Sequence, residues 1–236
     1  MPSWVFPPSP TVAVPVAGSD AAFPVRRVFC VGRNYAAHAR EMGRDPDREA
    51  PFFFTKPADA VIPDGSAVPY PPETANFQYE IELVVAIGKD GTDIPAERAL
   101  DHVFGYAVGN DLTRRDLQLE ARDKGRPWDW GKAFDNSAVI GPIRPVSEIG
   151  HPEKGRVWLA VNGAVKQDQD IADLIWSVPE IIAILSRSMT IRAGDLIYTG
   201  TPAGVGPIVP GDRVTGGVDG IGGHAITITD PRAADL

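Results

Sequence analysis

A mixed α+β fold built around a large curved sheet is what this sequence predicts, and three features predict it. Proline and glycine number 23 and 24 in a chain of 236 residues, and they cut it at short intervals into strand and turn lengths. Stretches with β character outnumber those with helical periodicity. The helical stretches also fall irregularly among the strands instead of alternating with them one for one, which disfavours a doubly wound parallel sheet.

Taken along the chain, residues 1–27 are proline-rich and suggest an extended arm, followed by a single domain over 28–236. The run "RVFCVG" carries Cys30, the chain's one cysteine, in apolar company that marks it as a small core residue; one cysteine excludes an internal disulfide. "NYAAHAREMG" predicts a short helix with Gly43 placed to end it. The charged "MGRDPDREAP" predicts a surface loop before the strand "FFFTKP". In "FQYEIELVVAIG", alternation sets Tyr79, Ile81, Leu83 and Val85 on one face and Glu80, Glu82, Val84 and Ala86 on the other. Asp90-Gly91 suggests a hairpin or tight turn just after it.

An apolar strand from Val103 to Val108 runs into Gly109, Asn110 and Asp111. The helix "TRRDLQLEARDKG" follows, with Thr113 and Asp116 at capping-box spacing. Asn162-Gly163 within "VWLAVNGAVKQ" is a strong hairpin signal. "SVPEIIAILSRSM" repeats the capping-box spacing at Ser177 and Glu180 and offers Ile181, Ile182, Ile184 and Leu185 as a buried side. "DLIYTG" and "HAITITD" complete the set as strands.

A formal net charge of −8 argues against a nucleic-acid or anionic-membrane partner. No apolar run reaches the length of a bilayer span. The N-terminus lacks the cationic start and compact apolar block of a signal peptide, so the expected location is the cytoplasm.

Four places could carry chemistry. Glu80 and Glu82 share a face that continues as Val84 and Ala86, so two like charges lie where burial is expected. Either they reach solvent from an edge strand, or they hold a hard divalent cation. Asp111, at a strand end, is either a third oxygen ligand or a cap for the next helix. Zinc fits less well, for want of cysteines or histidines at ligand spacing. His38 and Glu41 are three residues apart on the first helix, which suits either a carboxylate-oriented base or a plain surface pair. Lys132 lies among aromatic residues in "DWGKAFDNS", either beside a pocket or snorkelling from the surface. The loop "YTGTPAGVGP" lacks the Lys-Ser/Thr pair of a P-loop, although its amides could bind a carboxylate.

Together and in order, "VGRNYAAHAREMG", "PFFFTKP", "YEIELVVAIG", "GYAVGNDLTRRDLQ", "GKAFDNSAVIGP", "VNGAVKQ" and "YTGTPAGVG" resemble the fumarylacetoacetate hydrolase family, in its acylpyruvate-hydrolase branch. The resemblance implies a mixed β-roll, commonly paired as a homodimer. It implies Glu80, Glu82 and Asp111 as ligands of Mg²⁺ or Mn²⁺. His38 and Glu41 become a water-activating dyad on a substrate-covering segment, and Lys132 meets a developing enolate oxygen. Arg115, Gln118 and Thr201 match substrate-holding positions. The reaction implied is metal-dependent hydrolysis of a carbon–carbon bond in a small anionic 2,4-diketo acid, 3-fumarylpyruvate in the first instance. Decarboxylation of oxaloacetate or a related 2-oxo diacid is the alternative.

Overall fold

The structure, a computed structural model, describes residues 3–41 and 49–231, without the side chains of residues 39–41. Strands and helices are numbered along the chain. The largest sheet has eight strands. Seven run in the order β4 (Phe52–Lys56), β3 (Arg27–Gly32), β15 (Asp195–Tyr198), β8 (Ile81–Ile87), β9 (Val103–Asp111), β11 (Ala138–Ile140) and β5 (Val61–Pro63). The eighth, β12 (Arg144–Pro145), pairs with the first half of β9.

A second sheet runs β14 (Ala164–Asp170), β13 (Arg156–Val161), β17 (Arg213–Val218), β18 (Gly222–Thr229) and β6 (Ala67–Pro69). β7 (Phe77–Tyr79) joins β10 (Thr113–Arg114) and β16 (Gly206–Pro207) in a small sheet, and β1 (Ala13–Pro15) pairs with β2 (Ala22–Pro24). Parallel pairs (β3 with β15, β5 with β11, β6 with β18) sit among antiparallel ones, so the sheets are mixed. The helices are α1 (Ala36–Glu41), α2 (Arg115–Asp123), α3 (Asp129–Lys132), α4 (Val146–Ile149) and α5 (Val178–Ser188). This is the expected α+β architecture, a curled mixed sheet with few helices.

The large sheet is buried on both faces. One face (Ile81, Leu83, Val85 and Val108 among others) packs with Val157, Leu159, Ile226 and Ile228 of the second sheet and with Ile181, Ile182 and Leu185 of α5. The other face, including Val28, Cys30, Val84, Ala86 and Tyr198, packs with Val14, Val16, Phe23 and Val25 of the N-terminal segment. No residue of β8 is exposed, the signature of a strand covered on both sides. No helix among the described residues is long and apolar enough to cross a membrane.

Local signals succeed where no distant group competes for them. Asn162 and Gly163 take φ values of 51° and 81°, the left-handed pair a two-residue hairpin demands, and they join β13 to β14. Ser177 and Glu180 form their capping box at the start of α5; Ile184 is only half-buried, at the margin of the helix's apolar side.

Elsewhere tertiary partners win. Asp90-Gly91 makes no hairpin, because Gly91 exchanges backbone hydrogen bonds with Ile191 at 3.0 and 2.9 Å. The chain returns to β9 through a 3₁₀ turn over Ala96–His102. Thr113 and Asp116 make no capping box either: α2 begins at Arg115, the Thr113 hydroxyl donates to Asp111 O, and Asp116 accepts from Thr74 and Ala75. The proposed cap at Gly43 lies outside the described residues.

Candidate active site

At Glu80 the chain changes sheets. Phe77–Tyr79 belongs to the small sheet and Ile81–Ile87 to the large one, so the run expected as one strand is two. Glu80 N–H donates to Asn110 Oδ1 at 2.8 Å, and Asp111 N–H donates to Glu80 O at 2.8 Å. These bonds close the end of β9 onto the bend. Carboxylate oxygens of Glu80, Glu82 and Asp111 thereby lie within 4.8 Å of one another, all three residues buried. β8 runs between β15 and β9, which overturns the solvent-facing edge reading of the two glutamates. Asp111 provides no side-chain cap to α2.

Two glycines make the arrangement possible. Gly109 pairs opposite Glu82, and a Cβ there would stand 2.5 Å from both the Tyr198 ring and Val84 Cγ2. Gly200, at φ 105°, donates its N–H to Glu82 Oε2 at 2.6 Å, and a Cβ on it would lie 2.7 Å from Asn34 Cβ.

Three cations face the three carboxylates. Lys132 Nζ stands 2.7 Å from Glu80 Oε2, Asp111 Oδ2 and Thr113 Oγ1. It is buried, which removes the snorkelling alternative. Arg115 pairs with Glu80 Oε1 and donates to Gln118 Oε1 at 2.5 Å and to Gln78 Oε1 at 2.8 Å. Lys56 Nζ lies 2.8 Å from Asp111 Oδ1, an ion pair outside hydrogen-bond geometry, and donates to Leu112 O at 3.2 Å and to Lys132 O.

Burial penalises every charge here, and the neighbours decide the outcome. For Glu80, burial is outweighed by Lys132, Arg115 and His38, which hold its carboxyl well below the usual range. Burial, then Asp111 and Glu80, push Glu82 well above that range. Burial opposes the Lys132 ammonium, but Asp111 and Glu80 overcome it and raise its pKa. The donor set fits a hard divalent cation: three convergent carboxylates, all oxygen, with no thiolate. Mg²⁺ and Mn²⁺ match that chemistry better than Zn²⁺.

The cavity beside the cluster gathers the remaining candidates. His38, Arg115, Gln118, Lys132 and Thr201 all line it with the three carboxylates. His38 is buried on α1. Glu41 ends the same helix, and its side chain lies outside the described residues. Thr201 Oγ1 accepts from Gln167 Nε2 at 2.8 Å; Gln167 also donates to Pro202 O and accepts from Ile81 N–H, which ties the glycine-rich loop to β8.

Lys56 and Gln167 escaped the reading of the sequence. Alternation in "FFFTKP" sets Lys56 on the same side as Phe52 and Phe54, a signal that could have found it. Gln167 sits in a polar strand, and its one signal was its place at the end of the family-like element "VNGAVKQ".

Residues 27–229 match the family model described as fumarylacetoacetate (FAA) hydrolase C-terminal. Fumarylpyruvate hydrolase from Ralstonia sp is 48% identical over 189 residues, covering 79% of this chain and 98% of that protein. Mitochondrial oxaloacetate tautomerase of Mus musculus is 43% identical over 196 residues, covering 83% and 88%. A crystal structure of fumarylpyruvate hydrolase from Pseudomonas aeruginosa, in complex with Mn²⁺ and pyruvate, superposes with a TM-score of 0.95 at 56% identity, covering 97% of this chain and 100% of that one. With that fold, that matched span and those identities, the chain belongs to the fumarylacetoacetate hydrolase family.

Proposed function

We propose that this protein hydrolyses a carbon–carbon bond of a small 2,4-diketo acid, converting 3-fumarylpyruvate and water to fumarate and pyruvate. One observation carries the proposal: three buried carboxylates within 4.8 Å of one another, in a cavity that also holds His38 and Lys132. The likeness to the Pseudomonas aeruginosa structure with Mn²⁺ and pyruvate supports it. The protein acts as a cytoplasmic homodimer in gentisate breakdown, with residues 28–236 as its catalytic domain and residues 1–27 as an arm.

Glu80, Glu82 and Asp111 hold Mg²⁺, or Mn²⁺, which when bound supplies Lewis acidity and an anchor for the 2-oxo acid end of the substrate. Arg115, Gln118 and Thr201 orient the diketo acid. His38 removes a proton from water as the water oxygen adds to the acyl carbonyl carbon, and Glu41 orients the imidazole. The bond between C3 and C4 then breaks. Its electron pair spreads from C3 onto the C2 oxygen as pyruvate enolate, and Lys132 donates a hydrogen bond to that oxygen. The His38 imidazolium returns its proton to C3, and fumarate departs with the oxygen from water.

The Mus musculus relative, a tautomerase of oxaloacetate, favours a second reading in which a 2-oxo diacid reacts without attack by water. A spectrophotometric assay against fumarylpyruvate and oxaloacetate, with Mg²⁺ and with EDTA, separates the two. Metal-dependent loss of fumarylpyruvate is expected. His38→Ala should lower it by about 100-fold or more, the range for a lost general base, while any reaction of oxaloacetate survives. Equal loss of both activities would remove the role assigned to His38.

A further inference from the structure

The cavity has an end that bond cleavage does not use. Along a wall shared with an adjoining cleft, β4 presents Phe52 and Phe54 on a single face, about 7 Å apart by two-residue strand rise. Phe54 lines the cavity itself and Phe52 the adjoining cleft, which Arg33 and Trp128 also line. The Trp128 ring contacts both, with centroids at 5.2 and 5.7 Å. Each phenylalanine carries a cation. Lys132 Nζ lies 5.0 Å from the Phe54 centroid, and the Arg33 guanidinium carbon lies 5.3 Å from the Phe52 centroid. Along the wall the order is therefore cation, ring, ring, cation.

The residue at the outer end is held in an uncommon conformation. Arg33 has φ 58°, a left-handed backbone that side chains other than glycine seldom adopt and that collects at functional sites. On the other side of the cavity, α2 turns Arg115, Gln118, Leu119 and Arg122 toward it at helical spacing. Arg115 holds Glu80 at the carboxylate end. Arg122 follows two turns later, about 10 Å along the axis. Its ion pair with exposed Asp123, at 2.8 Å, is the screened kind that costs little to exchange.

The geometry points to a second carboxylate site: Arg33 seated on Phe52, with Arg122 across the cavity, binds the far carboxylate of the substrate. The Phe52–Trp128–Phe54 surface accepts a flat unsaturated segment between the two ends. The inference rests on the hydrolytic reading above and specifies its substrate class as linear diketo diacids. In fumarylpyruvate the two carboxyl carbons are six bonds apart, about 7 Å when extended. A trans double bond keeps that arm straight along the wall; a cis bond turns the far carboxylate away from it.

Two readouts test this. Values of kcat/KM for fumarylpyruvate, maleylpyruvate and acetylpyruvate are compared in wild type, Arg33→Asn, Arg122→Gln and the double variant. Asparagine is chosen because it tolerates a left-handed backbone, and thermal melts confirm that each variant folds. The ratio of fumarylpyruvate to acetylpyruvate should fall about tenfold in each single variant, the size of one lost charge-assisted hydrogen bond, and further in the double variant. Wild type should prefer the trans over the cis diacid. An unchanged ratio in the double variant overturns the site.

The second readout needs no turnover: calorimetric binding of fumarate, against acetate, to Mn²⁺-loaded protein. Fumarate binding weakened about tenfold or more in the double variant supports the site, and equal binding overturns it. A wild type that binds fumarate through these arginines yet hydrolyses no acylpyruvate keeps this site and loses the hydrolytic reading.

Discussion

Two buried polar groups in facing sheets solve the cost of burial in opposite ways. At the carboxylate cluster, charge is buried with charge: Asp111 has Lys56 at 2.8 Å on one oxygen and Lys132 at 2.7 Å on the other. His224, on β18, is as deeply buried, yet neither ring nitrogen has a hydrogen-bond partner among the described residues. Burial pulls its pKa down to about 4, against a smaller opposing pull from Asp64. A lone imidazole can shed its charge and stay inside as a neutral ring. Asp111 is instead flanked by two ammonium groups, one on each carboxyl oxygen. Removing a partner from such a group costs more than the pair itself contributes.

The contrast is broken hardest by Asp111→Asn. Both lysines lose a buried counter-charge, and metal-free stability should fall by about 3–5 kcal/mol in urea unfolding. Mn²⁺ affinity, read by calorimetry, should fall by more than about 100-fold, beyond the range for outer-shell changes. Lys56→Met comes next, at about 3 kcal/mol, since Asp111 Oδ1 loses the ammonium paired with it and two carbonyls lose a donor. Combined with Asp111→Asn it should cost less than the sum of the two, by at least about 0.5 kcal/mol. Strict additivity would show that the pair does not act as a unit.

His224 has the smallest effect at neutral pH and the most distinctive pH signature. Its folded pKa is depressed, so the unfolded chain takes up a proton first. The stability due to the neutral ring is complete above about pH 6.5, the unfolded value, and is lost as pH falls toward about 4. The loss over that window amounts to at most about 3 kcal/mol. His224→Leu should flatten that part of the stability profile; an identical acid slope in the variant would place the titrating group elsewhere.

How much of this was legible beforehand depends on the distance over which each decision is made. The hairpin at Asn162-Gly163 and the cap at Ser177 and Glu180 are settled within four residues, and both stand. The capping spacing at Thr113 and Asp116 looks just as good in the sequence but fails, because Asp111 O, Thr74 and Ala75 bind those side chains first. Asp90-Gly91 yields to Ile191, a hundred positions along the chain, for the same reason. Glu80 and Glu82 could be singled out because charge on a face turning apolar is anomalous. Lys56 shares a strand side with Phe52 and Phe54, but its ionic role shows only once Asp111 stands beside it.

The sequence by itself determined the α+β class, the main strands and the residue types of the candidate site, since these follow from periodicity, turn chemistry and motif order. Only the tertiary structure decided that the strand breaks at Glu80, that β8 lies inside the sheet and that Lys56, Lys132 and Arg115 close upon the three carboxylates. The physical reason is that burial and electrostatic pairing depend on distances through space, which local sequence patterns do not record.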